Sequence, residues 1–145
     1  MDWKKCAIED LRKLNGMRES LESMKERISS LYDAYKSTKC STSDATPVKG
    51  GGNGAEDRLI NNIVERDRLK FNYEATQKLV RLIDRGIAGL DDKDKHILDA
   101  FYISGHKYCI GRLCEELGYE ERQIYRFKDQ ALYKLTVAMY GITDY

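Results

Sequence analysis

The chain has 145 residues, of which 25 are Lys or Arg and 24 are Asp or Glu, so its formal net charge is only +1. This near-neutral balance excludes the overall basic field of a strong general nucleic-acid binder. The length suits one compact domain or a small domain with an extended arm. No signal peptide or apolar run of membrane length is visible, and the four cysteines form no Cys-x-x-Cys pair. We therefore expect a reduced, cytoplasmic protein without a membrane span.

The first predicted element is a long helix over residues 1–36. Its apolar side chains recur at alternating steps of three and four, which is the heptad repeat of a coiled coil. The positions between them are mostly charged, as on a solvated face. A single helix of this length cannot bury its own seam, so a partner helix is needed. The predicted seam consists of Leu14, Met17, Leu21, Met24, Ile28, Leu31 and Tyr35.

Residues 37–55 have the composition of a flexible linker. The segment is rich in Ser, Thr and Gly and contains the only proline of the chain. A stretch of this length without an apolar pattern is typical of a mobile connection. Its GGGNG run lacks the Gly-Lys-Ser/Thr of a phosphate-binding loop, so we assign it no ligand.

A second long helix is predicted over residues 56–89. With the linker allowing the chain to reverse, this helix can pair with the first in an antiparallel hairpin. An intermolecular coiled coil fits the same periodicity, so both arrangements stay open. We expect Gly86 and Gly89 to break the helix. Its predicted apolar face consists of Leu59, Ile60, Ile63, Val64, Phe71, Ala75, Leu79, Leu82 and Ile83.

Residues 90–145 predict a helix-turn-helix domain. A helix follows the aspartates after Leu90, and two further helices are separated by Gly118, a residue type that ends helices at positive φ. Such a pair joined by a short turn can place its second helix in a DNA major groove. The predicted fold is thus all-α, with a long antiparallel helical hairpin or coiled coil followed by a C-terminal helix-turn-helix. The apolar positions of the helix pair are Ile110, Leu113, Cys114, Leu117, Ile124, Phe127, Ala131, Leu132 and Leu135.

The segment LCEELGYEERQIYRFKDQALYKL, residues 113–135, resembles the fourth region of bacterial sigma factors. A short helix, Leu-Gly, a longer helix and a final Ala-Leu-x-Lys-Leu recur there in this order. With the two long helices before it, the chain is similar to phage regulators of the ArpU and RinA kind. The resemblance implies a regulator of phage or prophage transcription that docks on RNA polymerase. The sequence departs from the pattern at Cys109, Gly111, Arg112 and Glu120, which affects helix starts rather than the core.

Polar residues near the start of the second helix are candidate DNA contacts. Arg pairs with guanine and Gln with adenine through two hydrogen bonds, and Glu accepts from cytosine. An ordinary solvated face of mixed charge is the alternative interpretation, and the resemblance favours DNA because Glu121, Arg122 and Arg126 match base-contacting positions of sigma region four. The candidate base contacts are Glu121, Arg122, Gln123 and Arg126. Charge and placement suggest Lys107, Arg112 and Lys128 as phosphate contacts.

The C-terminal region lacks the charge for strong binding by one copy. From Leu90 to Tyr145 it carries eight basic and ten acidic side chains, whereas Lys and Arg supply most non-specific affinity for DNA. We therefore expect a homo-oligomer, docking on RNA polymerase, or both to supply the missing affinity for double-stranded DNA.

Other chemistries find little support in the sequence. Zinc is disfavoured because the spacing of His96, His106, Cys109 and Cys114 matches no common zinc pattern. We predict no metal, no cofactor and no catalytic residue, since no arrangement of nucleophile and base is readable. The many C-terminal tyrosines permit base stacking on single strands, but we favour helix packing for them.

Two other functions compete with transcription regulation. A small terminase subunit that marks DNA for packaging has the same parts, and a ring of many subunits would favour it. An adaptor or structural coiled-coil protein that binds no DNA is the alternative from another class. Loss of all duplex affinity at low salt would favour the adaptor.

Overall fold

A computed structural model describes residues 1–43 and 54–141. The described chain is helical apart from short turns and contains no strand, so the predicted all-α fold is confirmed. None of the described helices combines the length and apolarity needed to cross a membrane. The helices are α1 (Trp3–Ser43), α2 (Gly54–Ala88), α3 (Asp92–Leu98), which continues as a π-helical turn (Asp99–Ile103), α4 (Cys109–Leu117) and α5 (Glu121–Tyr140).

The chain forms two compact units, and both long helices contribute to each. One unit combines residues 1–18 with residues 78–145, and the other comprises residues 19–77. The C-terminal region thus shares its unit with the start of α1 and the end of α2, beyond the predicted boundary at residue 90. Fully buried apolar side chains explain this, because Leu11 and Leu14 of α1 and Ile83 of α2 belong to that core.

In the unit of residues 19–77, α1 and α2 run antiparallel within the chain. Arg27 Nε donates to Glu65 Oε1 over 3.1 Å, and Asn62 Nδ2 donates to the carbonyl of Leu31 over 2.6 Å. The Arg66 guanidinium lies over the ring of Tyr35, 4.8 Å from its centroid. The seam residues in this unit are all half-buried, which places that face of α1 beside α2: Leu21, Met24, Ile28 and Leu31.

Helix α1 extends past the predicted start of the linker. It reaches Ser43 rather than residue 36, and the Thr38 hydroxyl donates to the carbonyl of Ala34 one turn earlier. Such a bond satisfies the hydroxyl without ending the helix. A Ser/Thr-rich composition alone therefore did not mark the residue at which α1 ends. The predicted linker at residues 44–53 lies outside the described residues.

Apart from half-buried Leu59, the apolar face predicted for the first half of α2 is wrong. Ile60, Val64 and Phe71 are 51%, 61% and 72% exposed. The half-buried positions follow a different heptad stripe that includes polar residues, because Asn62 and Arg66 make the contacts to α1. The positions of the apolar residues therefore predicted the solvent-facing side of the helix as its buried side. The half-buried stripe consists of Leu59, Asn62, Arg66, Leu69, Tyr73 and Thr76.

In the other unit, the start of α1 packs along α5. The rings of Trp3 and Tyr140 lie 5.1 Å apart, and the Tyr140 hydroxyl donates to the Asp10 carboxylate. Burial and this hydrogen bond raise the pKa of the Tyr140 phenol well above its ordinary value. The first turns of α1 therefore hold the C-terminal end of α5.

Gly86 does not break α2, contrary to the prediction. The helix continues to Ala88, and Gly86 is buried where α5 crosses it. A Cβ at this position would lie 2.8 Å from Leu135 Cδ1 and 3.1 Å from Met139 Cγ. A larger residue here would displace the side chains of Leu135 and Met139, so the glycine lets these two residues of α5 pack against the backbone of α2.

We expect Gly86→Leu to lower the free energy of unfolding by roughly 1 to 3 kcal/mol, because the new side chain overpacks the contact with α5. Gly16→Leu is the matched control, since Gly16 is exposed on α1 with no neighbour near its Cβ position. Leu has the higher helix propensity, so that variant should gain up to about 1 kcal/mol. Urea denaturation measures both. Equal shifts in the two variants would contradict the close approach.

A second prediction tests whether α1 belongs to the core around α5. Leu11 is fully buried, so Leu11→Ala should cost roughly 2 to 5 kcal/mol and speed amide exchange within α5. Leu21→Ala serves as the comparison and should cost less, because Leu21 is only half-buried. Unchanged exchange in α5 of the Leu11→Ala protein would show that the first turns of α1 do not support that helix.

Candidate nucleic-acid interface

Helices α4 and α5 are joined by three residues and share one apolar core. Gly118 ends α4 as predicted, with φ +72° and its N–H bonded to the carbonyl of Cys114 over 2.9 Å. Glu120 has extended backbone, and its carbonyl accepts the first hydrogen bonds of α5 from Gln123 and Ile124. The centre of the core is formed by Ile97, Cys109, Leu113 and Ile124.

Side chains from α3 hold α5 at two points. The carboxylate of buried Asp94 accepts a hydrogen bond from Lys134 Nζ over 2.9 Å, and that bond raises the pKa of the lysine. Nearer the turn, Lys93 Nζ lies 3.6 Å from the ring centroid of Phe127, which Tyr119 meets edge-on at 4.8 Å. Tyr119, in the turn between α4 and α5, is thereby packed against the first half of α5.

The predicted base-contact residues lie together on the first two turns of α5. Glu121, Arg122 and Arg126 are exposed, and Gln123 is half-buried. Arg122 and Arg126 stand one turn apart on the same side of the helix. Neither guanidinium has an ion-pair or ring partner within residues 1–43 and 54–141. Both are therefore available to an external acceptor.

The predicted phosphate-contact residues have different surroundings. Lys107 is exposed in the turn before α4. Arg112 is also exposed, although its Nε lies 3.2 Å from Glu116 Oε1. Lys128 is largely covered: its ammonium lies 5.2 Å from the ring centroid of Tyr125 and 5.4 Å from that of Phe101. Packing against the rings accounts for Lys128 without DNA, whereas Lys107 and Arg112 are both exposed.

Acidic groups of the C-terminal region are partly neutralised within the protein. Asp94 is paired with Lys134, and Asp129 lies 3.4 Å from Lys4. Glu116 accepts from both His96 and Arg112. Within residues 1–43 and 54–141, Arg122 and Arg126 have no ion-pair partner, and neither have Glu120 and Glu121 beside them, so the start of α5 presents two cations next to two carboxylates.

Several tyrosines are exposed, contrary to the expectation that they pack between helices. Tyr108 is 86% exposed and Tyr125 is 40% exposed, and Tyr119 and Tyr133 are also exposed. Tyr108 also has φ +65°, the only positive φ of a non-glycine residue in the described chain. That conformation is strained for a residue with a Cβ. Helical spacing indicated exposure for Tyr125 alone, because Tyr125 falls opposite the apolar stripe of α5.

A cleft of about 210 Å³ lies between α3 and α4. His96 Nε2 and Glu116 Oε2 are 2.6 Å apart across it, and the hydrogen bond from His96 lowers the pKa of Glu116. His106, Cys109 and Arg112 also line the cleft. Among the described residues, no three His, Cys, Asp or Glu side chains converge to hold a metal ion. The His96–Glu116 pair thus links α3 and α4 across the cleft.

Comparison of the chain with known protein families, with curated proteins and with solved structures found no match.

The lowered pKa of Glu116 makes the joint between α3 and α4 dependent on pH. A carboxyl group with a pKa below its unfolded value stabilises the fold above that value, and the contribution is lost as pH falls through the folded pKa. Glu116→Gln should therefore be less stable than the parent at about pH 6, and the difference should shrink as pH falls below the ordinary Glu pKa of 4.5 and vanish below the lowered pKa of the folded protein. Thermal denaturation at several pH values measures this. Glu115→Gln is the control and should show no such trend, and a pH-independent difference would contradict the prediction.

Proposed function

We propose that this protein is a sequence-specific DNA-binding regulator of phage or prophage transcription, in which α4 and α5 act as a helix-turn-helix. The observation that carries the proposal is the pair of exposed guanidinium groups of Arg122 and Arg126 at the start of α5, for which the described part of the chain provides no ion-pair or ring partner. The resemblance of residues 113–135 to sigma region four supports the same role. We place its action in the bacterial cytoplasm.

The architecture around α5 is suited to presenting a helix to DNA. Its C-terminal half is held by α2 at Gly86, by Asp94 and by the start of α1, whereas its first two turns project polar side chains. A rigidly held helix loses little conformational entropy when it binds. Arg122, Gln123 and Arg126 can then form paired hydrogen bonds to purines in the major groove, with Lys107 and Arg112 on phosphates.

One copy of this surface offers few cations, so the proposal includes a second source of affinity. Each phosphate neutralised by Lys or Arg adds to binding at low salt, and two copies on one duplex would double that number. We propose a homo-oligomer on DNA, with docking on RNA polymerase as a further contact. The exposed apolar side chains of Ile60, Val64 and Phe71 on α2 support protein contacts of this kind.

The same apolar side chains favour the adaptor as the second candidate function. In that case the 19–77 unit would bind a protein partner, and the α4–α5 pair would be a structural remnant that contacts no bases. Affinity for duplexes distinguishes the two functions, since an adaptor would show none even at low salt.

Selection of preferred sites from random duplexes, followed by titration of the selected duplex, tests the regulator. Arg122→Ala and Arg126→Ala should each cost roughly 1 to 3 kcal/mol of binding free energy and relax the base preference at one position. Both residues are exposed, so the helical circular dichroism signal should stay unchanged. Arg81→Ala is the matched control, because Arg81 is an exposed arginine of α2 in the same unit.

The outcomes separate the candidates. Equal binding of parent and both variants to the selected duplex would show that α5 does not read bases. Absence of any selected sequence, with no duplex binding at low salt, would overturn the regulator and favour the adaptor.

A further inference from the structure

We infer that Tyr125 is a specificity-determining residue which contacts the 5-methyl group of a thymine in the major groove. The inference rests on the proposed function and deepens it, since it names a base feature that the polar residues of α5 do not read. It starts from the position of Tyr125, between Arg122 and Arg126 on the exposed side of the helix.

The ring of Tyr125 is held by its neighbours. Phe101, from the π-helical turn after α3, lies 5.9 Å away between ring centroids, and the Lys128 ammonium lies 5.2 Å from the centroid of Tyr125. An apolar ring that extends into solvent is unfavourable without contacts of this kind. The ring is thus positioned before any ligand arrives, which lowers the entropic cost of binding.

The π-helical turn is the device that brings Phe101 to α5. Its final hydrogen bond runs from the N–H of Ser104 to the carbonyl of Asp99 over 2.8 Å, and the Ser104 hydroxyl donates to the Asp99 carboxylate over 2.9 Å. Widened turns of this kind re-aim side chains and are frequent at functional sites. Here the turn supports an aromatic residue on the candidate recognition helix.

Beside Tyr125 lies an open cleft of about 310 Å³ with mainly apolar walls. Tyr125 and Phe101 form part of it, and the strained, exposed Tyr108 forms another part. The remaining lining residues are His106, Cys109 and Ile110. A small apolar group can enter beside the ring of Tyr125 and lose its contact with water.

The surrounding charge selects the molecule that carries this group. Tyr125 lies between exposed Arg122 and Arg126 on α5, and exposed Lys107 precedes Tyr108 of the cleft. These three cations outnumber the carboxylates of Glu120 and Glu121 at the start of α5, so an anionic ligand such as DNA is favoured. In a duplex, the thymine methyl is the only apolar group that the bases present in the major groove, and apolar side chains recognise it by contact.

Stacking on an unpaired base fits the geometry less well. A stacked base needs a free aromatic face, whereas Tyr125 is only 40% exposed and is packed by Phe101 and Lys128. The exposed part suffices for a methyl group. Single-stranded DNA is therefore an outcome of the test rather than the proposed ligand.

The experiment removes the methyl group and leaves the base pair intact. In the selected duplex, each thymine is replaced in turn by deoxyuridine, and affinities are measured by titration at fixed salt. For the parent protein, one replacement should weaken binding about fourfold, the value expected for one buried methyl group. For Tyr125→Ala, the same replacement should change affinity by less than about twofold, because the contacting ring is gone.

Two further variants separate methyl contact from general stability. Tyr125→Phe keeps the ring and should retain the full sensitivity to deoxyuridine. Tyr133→Ala removes another exposed tyrosine of α5 and should also retain it. Because each comparison is a ratio within one variant, a uniform loss of folded protein cancels.

Three results would overturn the inference. One is a selected site in which no deoxyuridine replacement weakens the parent, which leaves the regulator intact. A second is equal sensitivity in the parent and Tyr125→Ala, which assigns the methyl contact to another residue. The third is tighter binding of single strands than of duplexes, which would indicate base stacking. Absence of any preferred duplex would instead remove the proposed function itself.

Discussion

The close approach of α2 and α5 at Gly86 is the constraint on which the C-terminal unit depends. A Cβ on Gly86 would lie 2.8 Å from Leu135 Cδ1 and 3.1 Å from Met139 Cγ, so the side chains of Leu135 and Met139 pack directly against the backbone of α2. Contact at this distance fixes the C-terminal half of α5, and the start of α1 closes over the same end through Trp3 and Asp10. At the start of α5, Ile124 is buried in the core shared with α4, whereas Arg122 and Arg126 are exposed. A helix held along its inner face, with polar side chains on the outer face of its first turns, is suited to recognition.

Paired and unpaired charges lie at different places along α5. Asp94 and Asp129 are paired with Lys134 and Lys4 at or beyond the middle of α5, whereas Arg122 and Arg126 at its start have no partner in the described chain. Internal pairing of exposed groups contributes little stability, but it removes negative charge from the field that an approaching anion meets. The start of α5 itself carries Glu120 and Glu121 next to the two arginines, so its surface is of mixed charge.

The aromatic residues show how a local irregularity reaches the candidate site. A regular continuation of α3 would place Phe101 and Tyr102 elsewhere on the helix, since side-chain direction changes with the number of residues per turn. With the π-helical turn, Phe101 meets Tyr125 on α5, and Tyr102 lies under the guanidinium of Arg12 on α1. The π-helical turn thus contacts α5 through Phe101 and α1 through Tyr102. It links the start of the chain to the surface proposed to contact DNA.

Local patterns determined the helical character of the chain, the end of α4 at Gly118 and the start of α5 at Glu121, because apolar periodicity and glycine conformation are properties of neighbouring residues. They also placed Arg122 and Arg126 opposite the apolar stripe of α5. Tertiary structure alone decided which side of α2 meets α1, since Asn62 and Arg66 make that contact while Ile60, Val64 and Phe71 stay outside. It also decided that Gly86 is a contact rather than a break, and that Tyr125 is supported by Phe101. Each of these depends on residues far apart in the chain, and a hydrogen bond or close approach between distant residues leaves no periodic trace in either segment.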